Sequence, residues 1–199
     1  MLESPLTREE AVRSFGLDPA RRTILLVGGS LGARTLNESV LLHLDLLRQG
    51  DVQLLWQTGK GYYAAICQRL ENEGALPRLK VTDFIADMGA AYRAADLVVS
   101  RAGASSISEF SLIGKPVVLV PSPNVAEDHQ KKNAMALVDK GAALFVSDAD
   151  APQTLLSLAI DTVRDDEKLR MLSQNILKLG LKQSAETIAR QAMAQALPK

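Results

Sequence analysis

The chain has 199 residues, 47% hydrophobic and 23% charged, with 23 Lys+Arg set against 23 Asp+Glu. That profile describes one globular domain able to bury a core, and its zero formal net charge leaves no field to gather nucleic acid or an anionic membrane. The single cysteine, Cys67, excludes a disulfide framework and reads as a small half-buried apolar residue. No apolar run approaches the roughly 20 residues of a membrane span, and "MLESPLTREE" lacks a signal-peptide core, so the expectation is a soluble, cytoplasmic chain.

Residues 1–22 read as a linker with a short helix, because Thr7 followed by Glu10 has the spacing of a capping box and "LDPARR" supplies a stop. Short apolar runs suited to buried parallel strands then follow at 23–27, 52–56, 79–81, 97–100, 116–120 and 142–146. Between them lie helix-length stretches such as "ARTLNESVLLHLDLLRQG", "KGYYAAICQRLENEG" and "HQKKNAMALVDKG", the last two ending in a glycine placed as a C-cap. This alternation predicts an α/β fold: a doubly wound, mostly parallel six-stranded Rossmann-like sheet with right-handed crossovers. Residues 151–199 read as a helical tail, with Pro152 suited to a first turn. The whole of 1–199 is expected to be a single domain.

In such a sheet, ligands sit beyond the carboxyl ends of the strands, so the loops there carry the candidate chemistry. In "GGSLGAR", Gly28 and Gly29 allow a tight turn with exposed amides, Ser30 adds a hydroxyl, and the next helix directs its positive end at the turn. That suits a phosphate, but the stretch is neither the Gly-x-Gly-x-x-Gly fingerprint nor a P-loop, and a turn that merely packs helix on strand reads equally well. In "RAGASSISEF", Glu109 reads more simply as a capping-box partner of Ser106 than as a carboxylate for a ribose diol. In "PSPNVAEDHQKKNAMAL", Glu127 and Asp128 suit a helix start, and His129, Gln130 and Asn133 crowd one turn where amides could read sugar hydroxyls or simply face solvent. Phe84 and Ile85 of "VTDFIADM" could clamp a base or plug the core. A metal site or a Ser-His-Asp triad has no support, since the only other histidine, His43, is distant in sequence.

Taken jointly, "LLVGGSLGARTLNE", "WQTGKGYY", "VTDFIADMGAAYRAADLVVSRAGASSISEFSLIGKPVVLVP" and "DHQKKNAMALVDKGAA" resemble, in order and spacing, the C-terminal half of the MurG family. These are two-domain GT-B glycosyltransferases that move N-acetylglucosamine from UDP-GlcNAc onto lipid-linked N-acetylmuramyl-pentapeptide, lipid I to lipid II, in peptidoglycan synthesis. The resemblance is strong over residues 23–146 and looser in the tail. It implies that Gly28, Gly29 and Ser30 lie against the donor diphosphate, that Phe84 and Ile85 hold the uracil with Met88 close by, and that Ser105 and Glu109 carry the ribose-binding signature. Gly103 and Ala104 would lie against diphosphate or sugar, and His129, Gln130 and Asn133 against the N-acetylglucosamine. Some members carry Gln where this chain has His129.

The resemblance also implies what to expect elsewhere. The family's N-terminal domain holds the acceptor site, the proposed base and a membrane patch, none of which matches this chain. The partners would be UDP-N-acetylglucosamine, that acceptor domain and, through it, lipid I, with the whole enzyme peripheral on the cytoplasmic face of the inner membrane. No cofactor or metal is implied, and no catalytic residue falls in this chain, so it would bind donor without transferring it. Competing readings are a UDP-sugar epimerase domain of GT-B type, a nicotinamide-dependent dehydrogenase fragment, or a non-catalytic nucleotide-binding module.

Overall fold

The computed structural model describes residues 4–74, 76–123 and 128–180. Helix α1 (Arg8–Ser14) begins with the expected reciprocal cap between Thr7 and Glu10. It stops at Gly16 (φ 71°), where the Leu17 and Gly16 amides return to the Val12 and Arg13 carbonyls; the stop is therefore this glycine and not the later "LDPARR".

Strands β1 (Thr23–Val27), β2 (Gln53–Gln57), β3 (Leu79–Thr82), β4 (Leu97–Ser100), β5 (Val117–Leu119) and β6 (Leu144–Phe145) form one sheet in the order β3-β2-β1-β4-β5-β6. Every pairing is parallel. The central strands read as unbroken apolar runs because both faces are covered. Ile24, Leu26, Leu54, Trp56, Leu97 and Val99 face one core, and Leu25, Val27, Leu55 and Val98 face the other.

Helices α2 (Arg34–Leu41), α3 (Leu44–Gln49) and α8 (Ala151–Arg164) cover the first face through Leu36, Val40, Leu47, Leu155 and Ile160. The stretch 34–49 is thus two helices, not one: they part at Leu42–His43, where His43 Nε2 lies 3.0 Å from the Pro152 carbonyl. The second face is covered by α1, α5 (Met88–Ala94), α6 (Ala104–Ile113), α7 (His129–Val138) and α9 (Asp166–Leu177), through Ala11, Tyr92, Phe110, Leu137 and Ile176. Helix α4 (Lys60–Glu71) packs Ile66 on the first core. Of the expected helical tail, α8 carries Pro152 in its first turn as predicted, and residues 181–199 lie outside the described residues.

At the amino ends of the strands, Asp96 accepts from the Thr23 amide (2.8 Å), Arg8 (2.7 Å) and Arg22 (3.2 Å), and Arg22 also pairs with Asp166. These contacts fasten α1 and α9 to one edge of the layered core and leave the opposite, carboxyl edge to the loops.

Candidate functional site

Strand order reverses between β1 and β4, and the loops leaving their carboxyl ends border an open cleft of about 670 Å³. This is where a doubly wound sheet binds its ligand. Residues 28–35, Glu38, Tyr62, Arg101, Ser122, Pro123, Gln130 and Asp148 line it.

The turn after β1 is held from below. Gly32 N donates to Gly29 O (2.9 Å), closing a β-turn around Ser30 and Leu31. Gly29 and Gly32 both have φ 80°, a left-handed conformation that favours glycine. A Cβ on Gly28 would stand 2.5 Å from Ala33 N, so that position is reserved for backbone. Gly32 in turn abuts Gly59, where a Cβ would fall 2.3 Å from Gly32 Cα. Two glycine turns therefore interlock across β1 and β2.

Exposed amides were the reason the sequence suggested a phosphate at this turn, and the structure removes one of them. Gly28 N is spent on Gln57 Oε1 (3.2 Å), whereas the Gly29, Ser30 and Leu31 amides have no acceptor among the described residues. Helix α2 follows directly, with Ala33 as an N-cap that makes no side-chain bond, so its first-turn amides add to the positive end. The two cations in the lining are each paired, Arg34 with Glu38 (2.8 Å) and Arg101 with Asp148 (2.5 Å). An anion in the cleft is met first by backbone dipoles, not by free charge.

The second loop departs from the capping-box reading. Helix α6 begins at Ala104 with Gly103 as N-cap and no side-chain cap, which leaves Glu109 in the second turn. Glu109 instead accepts a 2.7 Å bond from the hydroxyl of Tyr92, a buried residue whose ring meets Phe110 edge-on. Burial first, and then the bond and charge of Glu109, push the Tyr92 phenol well above its ordinary range.

In the third loop Asp128 holds φ 54°, the non-glycine exception among the described residues, and serves as N-cap of α7 without a side-chain bond. Glu127 lies outside the described residues. Gln130 Oε1 accepts from the Ser122 amide (2.9 Å), and Asn133 Nδ2 donates to the Ala102 carbonyl (3.3 Å), so both amides tie α7 to the strand exits. His129 is exposed beside them.

Beyond β3, Phe84 is 50% exposed with the Lys60 ammonium 5.9 Å from its ring centre, while Ile85 is buried and Met88 packs on the second core. Of the sequence-predicted residues, Gly28, Gly29, Ser30 and Gln130 line the cleft itself. Phe84, Ile85, Met88, Gly103, Ala104, Ser105, Glu109, His129 and Asn133 stand on the neighbouring loops and helix starts, outside that lining. Sequence reasoning passed over Gln57, Tyr92, Arg101 and Asp148, whose partners are remote in the chain. Among the described residues no cluster of His, Cys, Asp or Glu could hold a metal ion.

An all-parallel, doubly wound sheet with an amide-lined cleft at its switch point defines a Rossmann-like α/β domain. The chain belongs to the glycosyltransferase family 28 C-terminal domain, whose family model matches residues 23–191. It is 59% identical over 186 residues, 94% of the chain, to the UDP-N-acetylglucosamine--N-acetylmuramyl-(pentapeptide) pyrophosphoryl-undecaprenol N-acetylglucosamine transferase of Phocaeicola vulgatus, covering 50% of that protein. The protein of the same name from Bacteroides thetaiotaomicron is 58% identical over 184 residues, with 92% of the chain and 50% of the relative covered. The crystal structure of Acinetobacter baumannii MurG superposes with a TM-score of 0.76 at 29% identity, over 94% of this chain and 53% of that one. The chain spans about half the length of the curated relatives it matches.

Proposed function

We propose that this chain is the donor-binding lobe of a GT-B hexosyltransferase that transfers N-acetylglucosamine from UDP-GlcNAc to lipid-linked N-acetylmuramyl-pentapeptide in peptidoglycan synthesis. The observation that carries the reading is the run of unengaged amides at Gly29, Ser30 and Leu31, set at the switch-point cleft ahead of α2. The relatives' names supply the substrate.

In this reading the diphosphate lies on Ser30 and the turn that Gly28 and Gly29 shape, with Gly103 and Ala104 alongside at the start of α6. The uracil packs on Phe84 beside Ile85 and Met88, and the ribose hydroxyls meet Glu109 and Ser105. His129, Gln130 and Asn133 face the sugar. The acceptor, the C4 hydroxyl of the muramic acid, and the base that takes its proton belong to an acceptor lobe that pairs with this one. Attack at the anomeric carbon inverts its configuration and expels UDP. The chain's own contribution is to hold the donor and stabilise the charge growing on the leaving diphosphate through amides and helix starts. The whole enzyme would act peripherally on the cytoplasmic membrane face; among the described residues no helix is long and apolar enough to cross a membrane.

Calorimetry with UDP-GlcNAc and with NAD tests the reading. Saturable binding of UDP-GlcNAc, no heat with NAD, and no transfer to a lipid I analogue by the chain alone are expected. Binding of NAD without UDP-GlcNAc overturns it.

A further inference from the structure

We propose that Gln57 is a positioning residue that locks the phosphate turn and the base loop to one another, and so sets the spacing at which a nucleoside diphosphate is read. The ligand part of this inference rests on the donor-lobe reading; the lock itself does not.

Gln57 is the last residue of β2, in register with Val27 of β1 on one side and Thr82 of β3 on the other. The residue is 4% exposed, and its side chain uses every polar atom at the carboxyl edge of the sheet. Oε1 accepts from Gly28 N (3.2 Å), while Nε2 donates to Gly29 O (2.8 Å) and to Asp83 O (3.1 Å). A primary amide presents two N–H bonds and one carbonyl, and here they fasten two loops that have no covalent link.

The orientation follows from peptide geometry. In a trans peptide the C=O and N–H point in opposite directions. Drawing Gly29 O inward to Gln57 therefore turns the Ser30 N–H outward to the cleft. Drawing Asp83 O inward fixes the peptide that carries Phe84, whose own carbonyl is held by Thr82 Oγ1 at 2.8 Å. The peptide that turns the Ser30 amide outward and the peptide that carries the half-exposed ring are thus both tied to one side chain. Without it, Gly29 keeps its bond from Gly32 N but the two loops lose their common reference.

The test uses the 199-residue chain with Gln57→Leu, which removes all three bonds, and Gln57→Glu, which keeps the shape and the Gly28 bond but cannot donate when ionised. Backbone 15N relaxation should show residues 28–33 and 82–87 losing order together in both variants, from order parameters of about 0.85 to below about 0.6, with β4 unchanged. UDP affinity, by calorimetry, should fall at least tenfold. Phe84→Ala, costly in the parent, should cost less than threefold more on top of Gln57→Leu. Loosening of only one loop, or a folded Gln57→Leu that binds UDP within twofold of the parent, overturns the assignment; should Gln57→Leu not fold, Gln57→Glu is judged by the same limits. A parent that binds no UDP while both loops still loosen together in the variants refutes the donor reading and leaves the lock standing.

Discussion

The Tyr92 hydroxyl donates to Glu109 Oε2 at 2.7 Å and so joins α5 to the second turn of α6. With one carboxylate oxygen committed to a buried phenol, the orientation of the other is fixed. Tyr92→Phe should cost about 1 kcal/mol of stability and weaken UDP binding about fivefold. Glu109→Gln still offers Tyr92 an acceptor, so it should leave the melting temperature within about a degree while UDP affinity falls about tenfold through loss of the charged acceptor. Equal UDP affinity for Glu109→Gln and the parent would remove the residue from the ribose site.

The glycines of the first turn separate packing from binding. Gly59→Ala drives a Cβ to 2.3 Å from Gly32 Cα at φ 86° and should destabilise the chain by about 3 kcal/mol or more. Gly29→Ala meets open space, so its cost is confined to the left-handed conformation, about 1 kcal/mol. Denaturant titrations of the two variants should differ accordingly, with the milder one still impaired for UDP because the strained turn reorients Ser30.

Asn37 sits 2% exposed in α2, accepting from Trp56 Nε1 (2.9 Å) and donating to Thr58 O (3.0 Å). Asn37→Ala leaves an indole N–H and a carbonyl buried without partners, a loss of about 2–3 kcal/mol. Since Trp56 is the chain's one tryptophan, its fluorescence reports the change directly. An unaltered emission spectrum and midpoint would contradict the bond.

Lys115 lies in the turn between α6 and β5, and its ammonium donates to the Ala95 carbonyl. Burial lowers its pKa from 10.5 to about 8, against the pull of Asp96. Through that window the unfolded chain keeps a proton that the folded chain has released. Stability from this group therefore rises from pH 8 to about 10.5, with a limiting slope of about 1.4 kcal/mol per unit, and the penalty is fully present below pH 8. Lys115→Met should be the more stable form at pH 7, and the gap should narrow as the pH climbs through that range. A gap independent of pH would place the proton elsewhere.

Much of the architecture was legible because a strand buried on both faces has no choice but to be apolar. β1 and β4 occupy the expected spans, 23–27 and 97–100, for that reason. The break at His43 was not legible, for no glycine or proline announces it and its partner, Pro152, is far away in sequence. β6 is shorter than the run 142–146 because the amides of Gly141 and Ala142 close the end of α7. At the site, Ser30 and Gln130 were visible in local pattern and do line the cleft. Glu109 has capping-box spacing to Ser106, but the helix starts at Gly103 and a distant tyrosine claims the carboxylate. Gln57 fell just past the expected strand 52–56, and its partners Gly28, Gly29 and Asp83 are remote in the chain, so no local pattern announced it.

The central position of β1 has a consequence for how the domain comes to exist. Thr23 pairs with Gln53 and Ile24 with Leu97, so the strand carrying the glycine turn is flanked by one neighbour from the next crossover and one from much later in the chain. Parallel neighbours form only after the intervening chain has looped back, which makes such pairings slow to nucleate. A polypeptide emerging from the ribosome therefore has no cleft until β4 has been made and docked. Any nucleotide that favours the finished cleft then acts as a late seal on folding, raising stability in proportion to the logarithm of its concentration over its dissociation constant.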